Sequence, residues 1–274
     1  MKHLLCVVLI AVVALASDLS GSLVPDRKPD EKAPPKHFTN SIGMKFVWIA
    51  PGNFMMGSPK EEKERGNDET RHKVTLAKGF YMGVYTVTQE QWQVVMGKNP
   101  SHFKNEKDLP VDTVSWEDCQ EFIKNLREKD KKPYRLPTES QWEYCCRAGT
   151  TTRFYFGETI STDQANYNGN FTYGNGKKGV YREKTTPVGS FPANAWGLYD
   201  MHGNLLEWCQ DWYGDYPQKD VVDPQGPEKG GKGRVLRGGS WLRSPENCRS
   251  AYRLWLEPGL RSRHFGLRIC FFGE

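Results

Sequence analysis

Apolar side chains recur at helical spacing from Trp116 through Cys119, Phe122 and Ile123 to Leu126, while the positions between them carry charges. That spacing predicts an amphipathic helix with one stripe facing a core. Its start is written in Ser115-Trp-Glu-Asp118, where a hydroxyl can accept an orphan amide and the side chain three residues on can reach back. The same grammar recurs at Thr88-Gln-Glu-Gln91, closed by Gly97, and at Thr138-Glu-Ser-Gln141, which follows Pro137 and ends before Gly149. The third helix buries Trp142 and either Cys145 or Cys146. Short β-rich runs bounded by Gly or Pro lie at Lys45 to Ala50, Lys73 to Ala77, Phe80 to Val87 and Gly233 to Arg237. Strands are therefore expected to be few and short. From Thr150 to Pro192 the chain is rich in Asn, Gly, Thr and Tyr without a sustained period, which predicts long ordered loops that need pins such as metal ions or disulfides.

The N-terminus follows a different pattern. Met-Lys-His leads into an apolar run from Leu4 to Ala16 that ends Ala14-Leu15-Ala16, and residues 1–16 read as a secretory signal peptide. The run is shorter than the roughly 20 residues that span a bilayer, so no membrane span is expected after cleavage. The expected location is secreted or periplasmic. Residues 17–37 hold four prolines and alternating charges, the composition of a disordered linker. One globular domain is then expected over residues 38–274.

Composition narrows the function classes. With 38 basic and 33 acidic residues the net charge is only +5, which argues against a dedicated nucleic-acid binder. Apolar residues at 37% suffice for a sizeable core, and 27 glycines allow many turns. A monomer is expected.

Five motifs then appear in order. They are Asn40-Ser-Ile-Gly-Met to Met56-Gly-Ser58, Tyr134-Arg-Leu-Pro-Thr-Glu-Ser-Gln-Trp-Glu-Tyr144, Gly197-Leu-Tyr-Asp-Met-His-Gly-Asn-Leu-Leu-Glu-Trp208, Arg234-Val-Leu-Arg-Gly-Gly-Ser-Trp241, and Cys248-Arg-Ser-Ala-Tyr-Arg253 with Phe265-Gly-Leu-Arg268. Together they resemble the formylglycine-generating enzyme family, the sulfatase-modifying factors, over residues 38–272. The resemblance implies an irregular, loop-rich α+β fold akin to C-type lectins. It also implies an oxidase that converts the cysteine of a sulfatase Cys-x-Pro-x-Arg segment to formylglycine, using copper(I) held by two thiolates. Soft copper(I) prefers thiolate ligands, and two of them leave room for the substrate sulfur.

The family pattern places its two cysteines three and eight residues after the Ser of Gly-Gly-Ser. Counting from Ser240, the second falls on Cys248 and the first on Arg243. The candidate catalytic residues are thus Cys248 and Ser240, with Arg243 at the position of the missing cysteine, and Cys248 as the copper ligand. A fixed guanidinium charge opposes a cationic metal. Cys248 can equally be a buried or disulfide-bonded cysteine. Six cysteines remain after the leader, enough for three disulfides in an oxidising compartment. No Cys-x-x-Cys or His-x-x-x-His spacing occurs, and His72, His102, His202 and His264 read as surface or supporting groups.

A hard cation is the second metal the resemblance implies. Asp200 and Glu207 bracket a glycine, and the resemblance assigns Ca²⁺ to their side chains and to the backbone oxygens of Gly203 and Leu205. Asn166 and Tyr167 match the first two ligands of a second calcium site. An acidic turn capped by amides would look the same. The last forty residues are rich in arginine, including Arg237, Arg243, Arg249, Arg253 and Arg268. These either hold buried carboxylates or meet an anionic partner at a groove. Two functions stay open: an exported formylglycine-generating oxidase, or a catalytically degenerate, calcium-stabilised lectin-like module for an anionic peptide or glycan.

Overall fold

Three capping boxes set the three helices. In α1 (Gln89–Met96), α2 (Trp116–Asp130) and α3 (Glu139–Arg147) the N-cap hydroxyl accepts from the backbone three residues on, and the side chain there returns the bond. All three follow from local sequence. The computed structural model describes residues 34–106, 108–228 and 231–273. The expected signal peptide and most of the expected linker fall outside these residues.

Eleven short strands accompany the helices among the described residues: β1 (His37–Thr39), β2 (Lys45–Ile49), β3 (Gly52–Met56), β4 (His72–Leu76), β5 (Phe80–Gly83), β6 (Leu206–Trp212), β7 (Val221–Val222), β8 (Arg234–Arg237), β9 (Leu254–Leu256), β10 (Phe265–Leu267) and β11 (Cys270–Phe272). They form three sheets with orders β1-β2-β5-β11, β10-β6-β8-β9 and β3-β4-β7. The first is antiparallel throughout, while β10 joins β6 in parallel. Residues 35–37, expected in the linker, take part in the fold. His37 pairs with Val47, Trp48 N donates to Lys36 O at 2.9 Å, and the Tyr81 hydroxyl donates to Pro35 O at 2.7 Å.

The stripe of α2 buries Cys119, Phe122, Ile123 and Leu126, and Phe122 stacks flat on Trp92 of α1 at 4.9 Å. Helix α3 is different. Besides Trp142, Cys145 and Cys146 it buries Glu139, Glu143 and Arg147, because strands β3, β6 and β8 surround it. Residues 150–205 contain no helix or strand, as the lack of period predicted for Thr150 to Pro192, yet Phe154, Ile160, Ala165, Tyr167 and Tyr173 pack into a core cluster of their own. Among the described residues no helix is long and apolar enough to cross a membrane.

Candidate functional site

Strand β8 delivers the Gly238-Gly239-Ser240 turn, whose glycines have φ of +98° and +74°. A Cβ on Gly239 would strike Cys248 Sγ and the Asn247 carbonyl, so this approach is open only to glycine. The chain then bends at Arg243, whose amide donates to Ser240 O at 3.0 Å, and returns through a 3₁₀ turn, Pro245–Cys248. Ser240 and Cys248 are both fully buried, and Ser240 Oγ has no hydrogen-bond partner.

Cys248 lies in the apolar cluster with Phe154, Ile160, Ala165, Tyr167 and Tyr173. Burial first, and the Glu246 carboxylate second, push its thiol far above the usual range. Cys209 and Cys270 belong to a different cluster around Trp142. A copper(I) site needs two accessible thiolates, and these residues offer one protonated, buried thiol. The copper pair does not fit this chain.

All six cysteines of the described residues are unpaired and buried. The three disulfides allowed by an even count do not form, because each thiol is packed as a small apolar group. Burial raises Cys146 to about 12. The histidine reading also changes. His202 is fully enclosed: Nδ1 bonds Cys248 O at 2.7 Å and Nε2 accepts from Tyr155 N at 3.0 Å. A carbonyl can only accept, so Nδ1 carries the hydrogen and the ring is neutral, with its pKa lowered by burial to about 3. His72 is buried too, whereas His264 is partly exposed.

The residues matched to calcium divide into two groups. Glu207 lies on β6 rather than in an acidic turn, and both of its oxygens are taken. Oε1 accepts from Thr86 Oγ1 at 3.0 Å and Arg268 Nη2 at 2.9 Å, and Oε2 from Trp142 Nε1 at 2.7 Å and Arg268 Nε at 3.1 Å. That carboxylate has no lone pair free for a cation. Asp200 contrasts with it. Its Oδ2 accepts from Gly189 N at 2.7 Å while Oδ1 is buried without a partner, and burial raises its pKa to about 6.

Gly203 lies against Asn166, whose carbonyl accepts from Asn204 N at 2.8 Å. Asn166 Oδ1 is a second buried oxygen without a partner. Tyr167 is fully buried with its hydroxyl on Ile160 O at 3.1 Å, and Leu205 is buried just before β6. Orphaned oxygens on Asp200 and Asn166 suit a hard cation, and the Glu207 side chain does not. Among the described residues no group of three or more His, Cys, Asp or Glu gathers to hold a metal.

Most of the C-terminal arginines are structural. Arg237 bridges Glu139 at 2.7 Å and Glu143 at 2.6 Å, Arg253 holds Glu139 at 2.6 Å, and Arg249 holds Glu62 at 2.6 Å and Glu69 at 2.7 Å. All are buried. Although burial opposes it, Arg253 and Arg237 pull Glu139 down to about 2. Arg234, Arg243 and Arg263 have no carboxylate partner among the described residues; Arg234 gives Nη1 to Gln210 O at 2.7 Å, whereas Arg243 is half-buried and its Nε lacks a partner. His264 sits beside Arg243 and Arg263, and burial, then these two charges, lower its pKa to about 4. Arg263, exposed, lies 5.3 Å from the ring centroid of Trp241, which also meets Phe103 edge-on. The sequence shows Arg243 and Arg263 in one arginine-rich stretch and Trp241 in a motif, but not that the three come together, since nothing local joins them.

The fold and this segment define a sulfatase-modifying factor domain. The sulfatase-modifying factor enzyme 1-like domain matches residues 31–271, and the chain belongs to that family. Serine/threonine-protein kinase pkn1 of Chlamydia caviae is 30% identical over 273 residues, covering 89% of this chain and 40% of the kinase. The chain thus spans about two fifths of that relative's length. The formylglycine-generating enzyme of Mus musculus is 32% identical over 285 residues, covering 82% of this chain and 74% of the enzyme. PvdO from Pseudomonas aeruginosa superposes with a TM-score of 0.75 at 29% identity, over 89% of this chain and all of that one. The fold is the irregular α+β, C-type-lectin-like fold of this family.

Proposed function

We propose that this chain is an exported recognition module of the sulfatase-modifying factor family, not a formylglycine-generating oxidase, and that it takes an anionic peptide or sulfated glycan at the Arg243 surface. The observation that carries this reading is Arg243 itself: an unpaired guanidinium stands where the family pattern has a metal-binding cysteine. A guanidinium matches carboxylate or sulfate with paired hydrogen bonds, and each charge-assisted contact contributes about 1.5–3 kcal/mol. Arg263, which lies over the buried Trp241 ring, supplies a second cation beside it. The basic, apolar leader supports export.

Calcium belongs to this reading as a structural ion. Asp200 Oδ1 is the side-chain oxygen that would hold it, with the carbonyls of Gly203 and Leu205, and Asn166 Oδ1 would serve a second ion. The ion would neutralise a buried carboxylate and tie residues 166–205 together.

Array screening of sulfated glycans and acidic peptides, followed by titration, tests the recognition role. Arg243→Ala should weaken a hit by about ten- to a hundredfold, and added salt should weaken the wild type as exposed charges are screened. Lys at the same position should recover part of the loss. Formylglycine formation on a Cys-x-Pro-x-Arg peptide, lost in Cys248→Ser, would overturn the proposal. For calcium, a chelator should lower the Tm of the wild type and leave Asp200→Ala unchanged. Binding to the native state contributes about 2.7 kcal/mol at a hundredfold excess over Kd.

A further inference from the structure

A second site lies in a cavity of about 410 Å³ between the first turn of α3 and the loops that follow β6 and β7. Its volume is in the range of small-molecule pockets. It shares no residue with the Arg243 surface. Asp211 and His72 line it together with Tyr216, Trp212, Pro227 and Arg253, and Asp215 stands at its exposed rim.

Its hydrogen-bonding groups divide sharply into spent donors and free acceptors. Arg253 gives Nε and Nη2 to Glu139 at 2.6 and 2.9 Å, Nη1 to Asp68 O at 3.0 Å and Nη2 again to Gly214 O at 3.0 Å. The Tyr216 hydroxyl donates to Glu139 Oε1 at 2.9 Å. The helix amides are likewise committed, Glu139 N to Asp211 Oδ2 at 2.9 Å and Gln141 N to Thr138 Oγ1 at 3.2 Å. The one guanidinium in the lining is already held by Glu139, so an anion would meet the carboxylates of Glu139, Asp211 and Asp215 without a free cation.

The acceptors are another matter. Asp211 is 4% exposed, and among the described residues nothing donates to its second oxygen and no cation pairs with it. His72 Nδ1 bonds the Thr70 carbonyl at 2.9 Å, so it carries the hydrogen and leaves Nε2 a bare acceptor. His72 is also nearly buried, with its ring 4.9 Å from that of Tyr216. A buried carboxylate oxygen and a bare imidazole nitrogen in one lining call for a ligand that donates more than one hydrogen and carries positive charge. The prolines and Trp212 of the same lining suit an apolar stem.

From these placements we infer that the cavity binds a primary alkylammonium, with the ammonium on Asp211 and His72 and the alkyl stem along Trp212 and Pro227. An ammonium offers three donors and a compact charge, which a guanidinium in so enclosed a site would spread over a larger plane. The source is either a free small amine or a lysine side chain offered by a peptide, and both present the same group.

The test is titration of the intact chain with n-butylamine, n-butanol and butyrate, which share the stem and differ in the head group. Butylammonium should bind with a Kd of about 1 mM, the order open to so small a fragment, and butanol at least tenfold more weakly. Asp211→Asn keeps the shape and should reduce butylammonium binding about tenfold or more without altering butanol. A short peptide with one central lysine, compared with the same peptide carrying norleucine, separates the two sources: preference for the lysine peptide over butylamine assigns the site to a peptide, and the reverse assigns it to a free amine. Butyrate binding as tightly as butylamine, or no difference between butylamine and butanol on the wild type, overturns the inference whatever the variant does.

Discussion

The C-terminal arginines occupy two regions that follow opposite rules. Around α3, Arg237 and Arg253 meet Glu139 and Glu143 in a closed lattice of ion pairs, and Arg147 completes it by holding Glu143 at 2.9 Å. Six residues after Arg237, Arg243 has no such partner among the described residues. Both come from one stretch of chain. Around α3 each buried guanidinium has a carboxylate beside it, and Arg243 on the same stretch of chain has none. The lattice carries stability, and the Arg243 surface is where we propose recognition.

Removing one member of the lattice should give the largest effect. Glu139→Ala takes from Arg253 its carboxylate and leaves Arg237 with Glu143 only, and breaking a buried pair in this way costs about 3–5 kcal/mol. Arg243→Ala should change unfolding free energy by less than about 0.5 kcal/mol, as surface changes do. Denaturant unfolding of the two variants measures the contrast directly, and equal losses would erase the distinction between the regions.

Next in size is the turn that seats Cys248. Gly239→Ala and Gly97→Ala impose similar backbone strain, since φ is +74° and +73°, but a Cβ at Gly97 meets nothing within 4 Å while one at Gly239 meets Cys248 and Asn247. The difference in stability between the two variants isolates the steric clash, expected at about 1–3 kcal/mol.

A smaller effect should appear with pH. Burial first, and Glu139 second, raise Asp211 to about 7, so this carboxyl holds its proton more firmly folded than unfolded. Its contribution to stability is present below the unfolded pKa of about 4 and is lost as pH rises toward 7. Asp211→Asn should therefore flatten the decline in Tm over that window and leave the variant more stable than the wild type at pH 8. A Tm profile parallel to that of the wild type would remove the carboxyl from the account. The smallest effect concerns the thiols. Because all six in the described residues are unpaired, a reducing agent should shift Tm by less than about 1 °C.

Whatever depends on contacts three or four residues apart was legible in the sequence. The capping boxes of Thr88, Ser115 and Thr138 need only their own turn, and the apolar stripe of α2 needs only its own period. Strand β6 was not legible. Its Leu-Glu-Trp-Cys-Gln-Asp-Trp run buries Glu207 and Asp211, and the group that makes Glu207 tolerable, Arg268, lies 61 residues away. The same distance hid His202, which the sequence places near a glycine turn and the fold encloses under Cys248 and Tyr155. Arg243 emerged from motif register alone, whereas its nearness to Arg263 and Trp241 required the chain to fold.

Helix α3 has a consequence for the order in which the molecule assembles. Glu139 is buried in company with Arg237 and Arg253, and Glu143 with Arg237 and the helix's own Arg147; the later arginines follow by between 94 and 114 residues. While that later stretch is still unfolded, or not yet made, docking the helix would bury Glu139 with no cation beside it, so the helix has to wait in solvent. Closing loops of this length is the slow part of folding for chains dominated by distant contacts. The centre of the molecule is thus its last part to form, and α3 should gain protection from amide exchange together with β8 rather than with α1 and α2, although all three helices carry the same start signal.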